Sequence, residues 1–144
     1  MIDWNQINNY ISEAKTILLT MHENPDGDGL GSATAMYHYL KEVDKDCRII
    51  QVSKLPLEYH YLNAGDIIET YDLDRHGKWI ENVDLVIIFD VGDFKRIRAI
   101  KDQIEQHNIA TLNIDHHPHP EDHPFTHSVV DLKAASTGDM VYDY

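Results

Sequence analysis

Apolar residues along this chain follow two rhythms, one recurring every third or fourth position and one of short unbroken runs. Over residues 3–15, Ile7, Tyr10, Ile11 and Ala14 recur at helical spacing behind Asp3, a good N-cap, and predict a short helix. Lys15 to Met21 is then a near-continuous apolar run, the pattern of a strand covered on both faces. His22 to Gly31, rich in Asp and Gly, reads as a loop, after which Ala33, Met36, Tyr37 and Leu40 mark a helix from about Ser32 to Val43. Strand patterns follow at Arg48–Val52, Ile67–Tyr71, Leu85–Asp90 and Ala110–Asp115, and Val129 with Val130 suggests one more. Residues 93–107 read as one amphipathic helix with Ile97, Ile100 and Ile104 on its apolar face. Ser136 opens a final helix, with Asp139 three positions on as a weaker capping box. Strands alternating with helices specify an α/β fold, a mostly parallel sheet flanked by helices.

The chain of 144 residues suits one domain with a real core, and no repeat, low-complexity tract or linker divides it. The final helix runs barely two turns before Tyr144, so the expectation is the front part of a longer protein. Cys47 is the one cysteine, which excludes an intramolecular disulfide framework and suits a reducing compartment. The N-terminus lacks the apolar core of a signal peptide, and no run approaches the roughly 18 apolar residues of a membrane span. A soluble, cytoplasmic protein without membrane contact is expected.

The net charge of −13 changes the picture, because such a surface repels nucleic acid and phosphates. Any phosphate ligand needs a local positive source, and with only 12 Lys and Arg residues bound divalent cations are candidates. The acidic excess also has a plain reading, since net charge by itself keeps proteins soluble.

Three acid and histidine clusters share one placement. His22-Glu23-Asn24-Pro25-Asp26-Gly27-Asp28 follows the first strand, Asp90 ends the strand Leu85 to Phe89, and Asp115-His116-His117 ends the strand Leu112 to Ile114. Ligands of open parallel sheets bind at the carboxyl ends of strands, so parallel strands would bring all three clusters to one edge. Carboxylates crowded there cannot all stay ionised unless cations neutralise them. Mixed carboxylate and imidazole donors suit manganese, with zinc, iron or cobalt less specifically implied. A pair of such ions can clamp the attacking and leaving oxygens of a displacement at phosphorus. The helix from Ser32 adds its positive dipole end, and Gly27, Gly29 and Gly31 are expected to let the loop turn so that Asp26 and Asp28 point inward together.

Taken singly, these pieces have other readings. Asp26-Gly27-Asp28-Gly29 suits an ordinary turn, and Asp90 a plain strand-end residue. An EF-hand is excluded, because Leu30 and Tyr37 occupy positions that need ligands. Gly27, Gly29 and Gly31 do not match the dinucleotide fingerprint. His119, His123 and His127, among prolines and acids, read as a solvated surface loop rather than a zinc site. His38, His60, His76 and His107 are scattered and carry no assignment.

Together the order His22-x-x-x-Asp26-x-Asp28-x-x-Gly31-Ser32, then Asp90, then Asp115-His116-His117 resembles the DHH phosphoesterase family. The wording of the first motif, and Ala135-Ser136-Thr137-Gly138, are most similar to bacterial oligoribonucleases that also remove phosphate from 3′-phosphoadenosine 5′-phosphate. The resemblance implies two manganese ions (Mn2+), one on His22, Asp26 and Asp90 and the other on Asp28, Asp90 and His116, with Asp90 bridging. It implies that Asp115 orients an imidazole and that His117 faces the substrate phosphate or assists the leaving oxygen, while a hydroxide between the ions attacks phosphorus. The implied partner is a short oligonucleotide or nucleotide phosphate, hydrolysed as an exonuclease or phosphatase would, and a homodimer is admitted. Family members carry a fourth metal motif and a C-terminal substrate-binding domain that this chain does not contain, so weak or no activity is expected of it alone. The same logic serves inorganic pyrophosphatases and exopolyphosphatases. A catalytically inactive metal or nucleotide sensor is the alternative outside the enzymes, and a purely structural domain would leave the clustered acids unexplained.

Overall fold

The computed structural model describes residues 2–144. Helix α1 (Trp4–Glu13) starts where Asp3 accepts hydrogen bonds from the Asn5 and Gln6 amides, and it leads into strand β1 (Thr16–Met21). Helix α2 (Gly27–Glu42), strand β2 (Asp46–Gln51) and strand β3 (Ile68–Thr70) follow, with a 3₁₀ turn at Leu57–Leu62 between the two strands. Helix α3 (Leu73–Ile80) then leads to strand β4 (Leu85–Phe89), a second 3₁₀ turn (Phe94–Ile97) and helix α4 (Ala99–His107). Strands β5 (Ala110–Asp115) and β6 (His127–Val130) and helix α5 (Thr137–Asp143) complete the order. Among the described residues no helix is long and apolar enough to cross a membrane.

The six strands form one sheet in the order β3-β2-β1-β4-β5-β6, and every pairing is parallel. Strand side chains alternate between faces, and both faces are covered. Ile17, Leu19 and Met21 of β1 pack with α1, α2 and Met140 of α5, whereas Leu18 faces Ile80 of α3 and Ile100 and Ile104 of α4. This double cover explains why β1 and β4 read as unbroken apolar runs. Chain order reverses between β1 and β4, since β2 and β3 extend to one side and β5 and β6 to the other. A crevice at the carboxyl ends of the strands is the natural ligand position in such a sheet.

Three expectations need correction. The loop predicted to Gly31 ends at Asp26, and α2 begins at Gly27 because the Asp26 side chain accepts from the Asp28 and Gly29 amides at 3.0 and 3.1 Å. Gly27, Gly29 and Gly31 are thus helical rather than turn residues. At Gly29 the need is closeness, since an added Cβ would lie 3.1 Å from Cβ of Met21. The helix predicted over 93–107 is broken at Arg98, whose φ of +49° interrupts it, although Ile97, Ile100 and Ile104 still share one buried side. The 3₁₀ turn at Leu57–Leu62 and α3 carried no prediction; α3 holds Gly77, a weak helix former.

Candidate metal centre

The ends of β1, β4 and β5 deliver the site. His22 follows β1 directly, and its ring is buried against Asp90. Asp90 follows β4 in the left-handed region, φ +60°, which Asp and Asn tolerate better than most residues. Its amide donates to the Ile114 carbonyl at 3.0 Å, tying this kink to β5. The Asp90 side chain is only 4% exposed, so its carboxylate needs partners on both oxygens.

Those partners lie on opposite sides. Asp90 Oδ2 faces His22 Nε2 at 3.5 Å, and Asp26 Oδ2 stands 3.9 Å from the same nitrogen. Asp90 Oδ1 faces His116 Nε2 at 3.5 Å and His117 Nδ1 at 3.3 Å, and accepts from the Thr137 hydroxyl at 3.3 Å. Asp28 Oδ2 is also 3.5 Å from His116 Nε2. Two groups of donor atoms, His22 with Asp26 and His116 with Asp28, therefore flank one shared carboxylate.

Several of these atoms have competing duties. Asp28 accepts from the Thr137 amide at 2.9 Å and the Gly138 amide at 2.7 Å, which anchors the start of α5 while leaving lone pairs on both oxygens. His117 Nδ1 lies close to Asp90, but its 2.8 Å contact with Asp115 Oδ1 is shorter and assigns its proton to Asp115. His116 is thus the better-placed ring for a cation on that side. The His22 ring places Nδ1 2.7 Å from the Glu23 carbonyl, so Nδ1 carries a proton and Nε2 is the atom offered to Asp26 and Asp90. The guanidinium of Arg96 sits 3.2 Å from the same Nδ1 and makes no ion pair among the described residues.

The electrostatics agree with that pairing. His22 is raised above its ordinary value, first by its hydrogen bond to Asp90, against burial and with help from the Glu23 carbonyl. For Asp90 burial is the largest influence and pushes it up, yet the His22 hydrogen bond and the charges of His117 and His22 bring it below the usual carboxylate value overall. Two sets of donor atoms, His22 with Asp26 and Asp90 and then Asp90 with His116 and His117, each lie close enough together to hold a divalent cation, and they share Asp90.

All the residues singled out from sequence, His22, Asp26, Asp28, Asp90, Asp115, His116 and His117, lie at this one edge. Asp115, fully buried, touches His117 and His119 through its side chain, and the His116 ring is not among its partners. The reading of His119 as solvated is overturned. Its side chain is 5% exposed, and its ring lies against Phe125 at 5.6 Å and bonds Asp115. His127 stacks on Tyr10 at 3.7 Å, and Nδ1 of His123 is buried. An apolar Phe125 amid polar residues was the available signal that this loop folds inward. Sequence reasoning quoted Thr137 only within a motif of the resemblance, with no role at the site, and did not single out Arg96.

Residues 16–144 match the model of the DHH family, N-terminal domain. The chain belongs to the DHH family. It is 29% identical over 134 residues, 92% of this chain and 39% of the relative, to the bifunctional oligoribonuclease and PAP phosphatase NrnA of Bacillus subtilis (strain 168). A probable protein of the same name from Streptococcus mutans is 28% identical over 90% of this chain and 38% of its own length. The chain thus spans about two fifths of the curated relatives it matches. Among solved structures, an exopolyphosphatase-related protein from Bacteroides fragilis has TM-score 0.82 and 26% identity, covering 96% of this chain and 41% of that one. The manganese complex of RecJ from Thermus thermophilus, with TM-score 0.56 and 14% identity, covers 96% of this chain and 18% of that one and shares the fold. The DHH fold and the doubly covered parallel sheet are the same architecture.

Proposed function

We propose that this domain is the metal-holding domain of a phosphoester hydrolase acting on short oligonucleotides or nucleotide phosphates in the cytoplasm. The observation that carries the reading is the division of labour at Asp90, one oxygen toward His22 and the other toward His116. Manganese is the proposed metal, one ion on His22, Asp26 and Asp90 and a second on Asp28, Asp90 and His116. When bound, such ions place positive charge at the phosphoryl oxygens and make a water more acidic.

The remaining tasks fall to side chains present here. Asp115 holds the Nδ1 proton of His117, leaving Nε2 without a partner among the described residues on a ring that is 53% exposed. That nitrogen is free to exchange a proton with the leaving oxygen. Arg96, free of any carboxylate among the described residues, supplies fixed positive charge beside the site of an otherwise acidic chain. The similarity to the two NrnA proteins supports a nucleotide substrate. The exopolyphosphatase-related neighbour favours a second reading, hydrolysis of phosphoanhydrides.

Two measurements test the proposal. Manganese calorimetry on this chain and on Asp90→Asn asks whether two ions bind and whether Asp90 holds both; no binding to the parent would sink the metal assignment. Steady-state hydrolysis by the whole protein that carries this domain then compares an adenosine dinucleotide, 3′-phosphoadenosine 5′-phosphate and pyrophosphate. Preference for pyrophosphate would replace the first reading with the second. Metal binding without turnover of any of the three would make the domain a sensor.

A further inference from the structure

We infer that His119 is a positioning residue, which clamps the free oxygen of Asp115 so that the carboxylate can hold His117 in its Nδ1–H form. The two Asp115 oxygens are unequally served. Oδ1 accepts from the His116 amide at 2.8 Å, the His117 amide at 3.1 Å and His117 Nδ1 at 2.8 Å. Among the described residues Oδ2 has one hydrogen-bond donor, His119 Nε2, at 2.6 Å. Asp115 is fully buried, so water cannot stand in for that donor.

The tautomer of His119 follows from its surroundings. Nε2 meets a carboxylate oxygen and must carry the proton, whereas Nδ1 is buried with no partner among the described residues, where an N–H would be an orphaned donor. The Asn113 amide nitrogen lies 3.4 Å from the same Nε2, but it already donates to the Val91 carbonyl at 3.2 Å and offers no acceptor. The ring is lodged by aromatic neighbours, Phe125 at 5.6 Å and His123 at 6.0 Å. With its ring lodged and its proton directed, His119 stops the carboxylate from turning. Deprived of that donor, Asp115 would rotate to share Oδ1 and Oδ2 among the remaining three, and the 2.8 Å bond that selects the His117 tautomer would loosen.

Packing alone would need the ring but not its nitrogen, and this separates the two roles. His119→Phe keeps an aromatic ring against Phe125 without a donor, and His119→Gln keeps an N–H at about the reach of Nε2 without the ring. The readout is imidazole nitrogen-15 NMR of this chain, which reports the tautomer of each histidine without any catalytic assay. The parent should show His119 as Nε2–H and His117 as Nδ1–H. His117 should keep its single tautomer in His119→Gln and become a mixture of both in His119→Phe.

A parent spectrum with either ring in the opposite tautomer overturns the inference, whether or not the variants fold. So does a His117 signal unchanged in His119→Phe but disturbed in His119→Gln, which would mark His119 as packing. The inference rests on the proposed function only for the use made of His117. Manganese binding with the wrong tautomers would sink the clamp and spare the hydrolase reading, and correct tautomers without manganese binding would do the reverse.

Discussion

Two clusters of acids and histidines sit on the same sheet and face opposite fates. On the β2–β3 side, Glu69 receives both Arg48 guanidinium bonds at 2.7 and 2.6 Å, and the fully buried His76 at 3.1 Å. The Asp72 amide donates to Nδ1 of His76, so the ring donates from Nε2 and the cluster closes on itself. In the crevice between β1 and β4, Asp90 is more deeply buried and meets imidazoles and a hydroxyl but, among the described residues, no Lys or Arg. Both carboxyls lie below their ordinary values, Glu69 first through the Arg48 hydrogen bonds and Asp90 through His22 against the push of burial. A cluster that contains its own permanent cation is structural cement. One whose acids meet imidazoles without a Lys or Arg on the carboxylates has the donor set that the proposed metal ions need.

Manganese should separate the two regions most sharply. At a free concentration of 100 times Kd, binding to the folded state alone should stabilise the domain by about 2.7 kcal/mol, read as a rise in the urea midpoint. Asp90→Asn keeps a side chain that tolerates the left-handed backbone, and it should abolish the rise and weaken binding by more than about 100-fold, since loss of mere outer partners costs 10–100-fold. A manganese rise that survives in Asp90→Asn would break the distinction. Manganese affinity should also fall as pH drops through the raised His22 value, because a cation must displace the Nε2 proton.

Glu69→Gln should do the opposite, lowering the manganese-free midpoint by about 1.5–3 kcal/mol, the range for charged hydrogen bonds, and leaving the manganese rise intact. The sign with pH follows from the depressed Glu69 carboxyl. Its contribution is whole above the unfolded carboxyl value and is lost as pH falls through the lower folded value. The gap between parent and Glu69→Gln should therefore close on acidification, and a gap independent of pH would remove the ion pair from the account. The smallest effect, about 1 kcal/mol, is expected of Ser136→Ala, which removes the cap bond to the Asp139 amide at 3.0 Å. That helix start also holds Asp28, so manganese affinity should drop in parallel with stability.

Much of the fold was legible because local patterns have local causes. The apolar runs of β1 and β4 announce strands buried on both faces, and the Asp3 and Ser136 caps mark the starts of α1 and α5 within a residue or two. The convergence of the singled-out acids and histidines was legible too, since a parallel sheet sends every strand end to the same edge. Errors arose where a local rule met a longer-range demand. Asp and Gly at 26–29 obey turn statistics, yet the Asp26 side chain caps the Asp28 and Gly29 amides and starts a helix there, with Gly29 close against Met21. The periodicity over 93–107 is intact on both sides of Arg98, and its left-handed kink accompanies the Glu23 carboxylate bound to its guanidinium at 2.6 Å.

The α/β class, the apolar strands and the acids and histidines at strand ends follow from periodicity, capping and residue chemistry along the chain. Packing in three dimensions sets which oxygen of Asp90 faces which imidazole, shares Asp115 between His117 and His119, and closes off Glu69 with Arg48. Each of those pairings joins side chains whose distances and directions are set by register, kinks and burial, and no spacing along the chain encodes them.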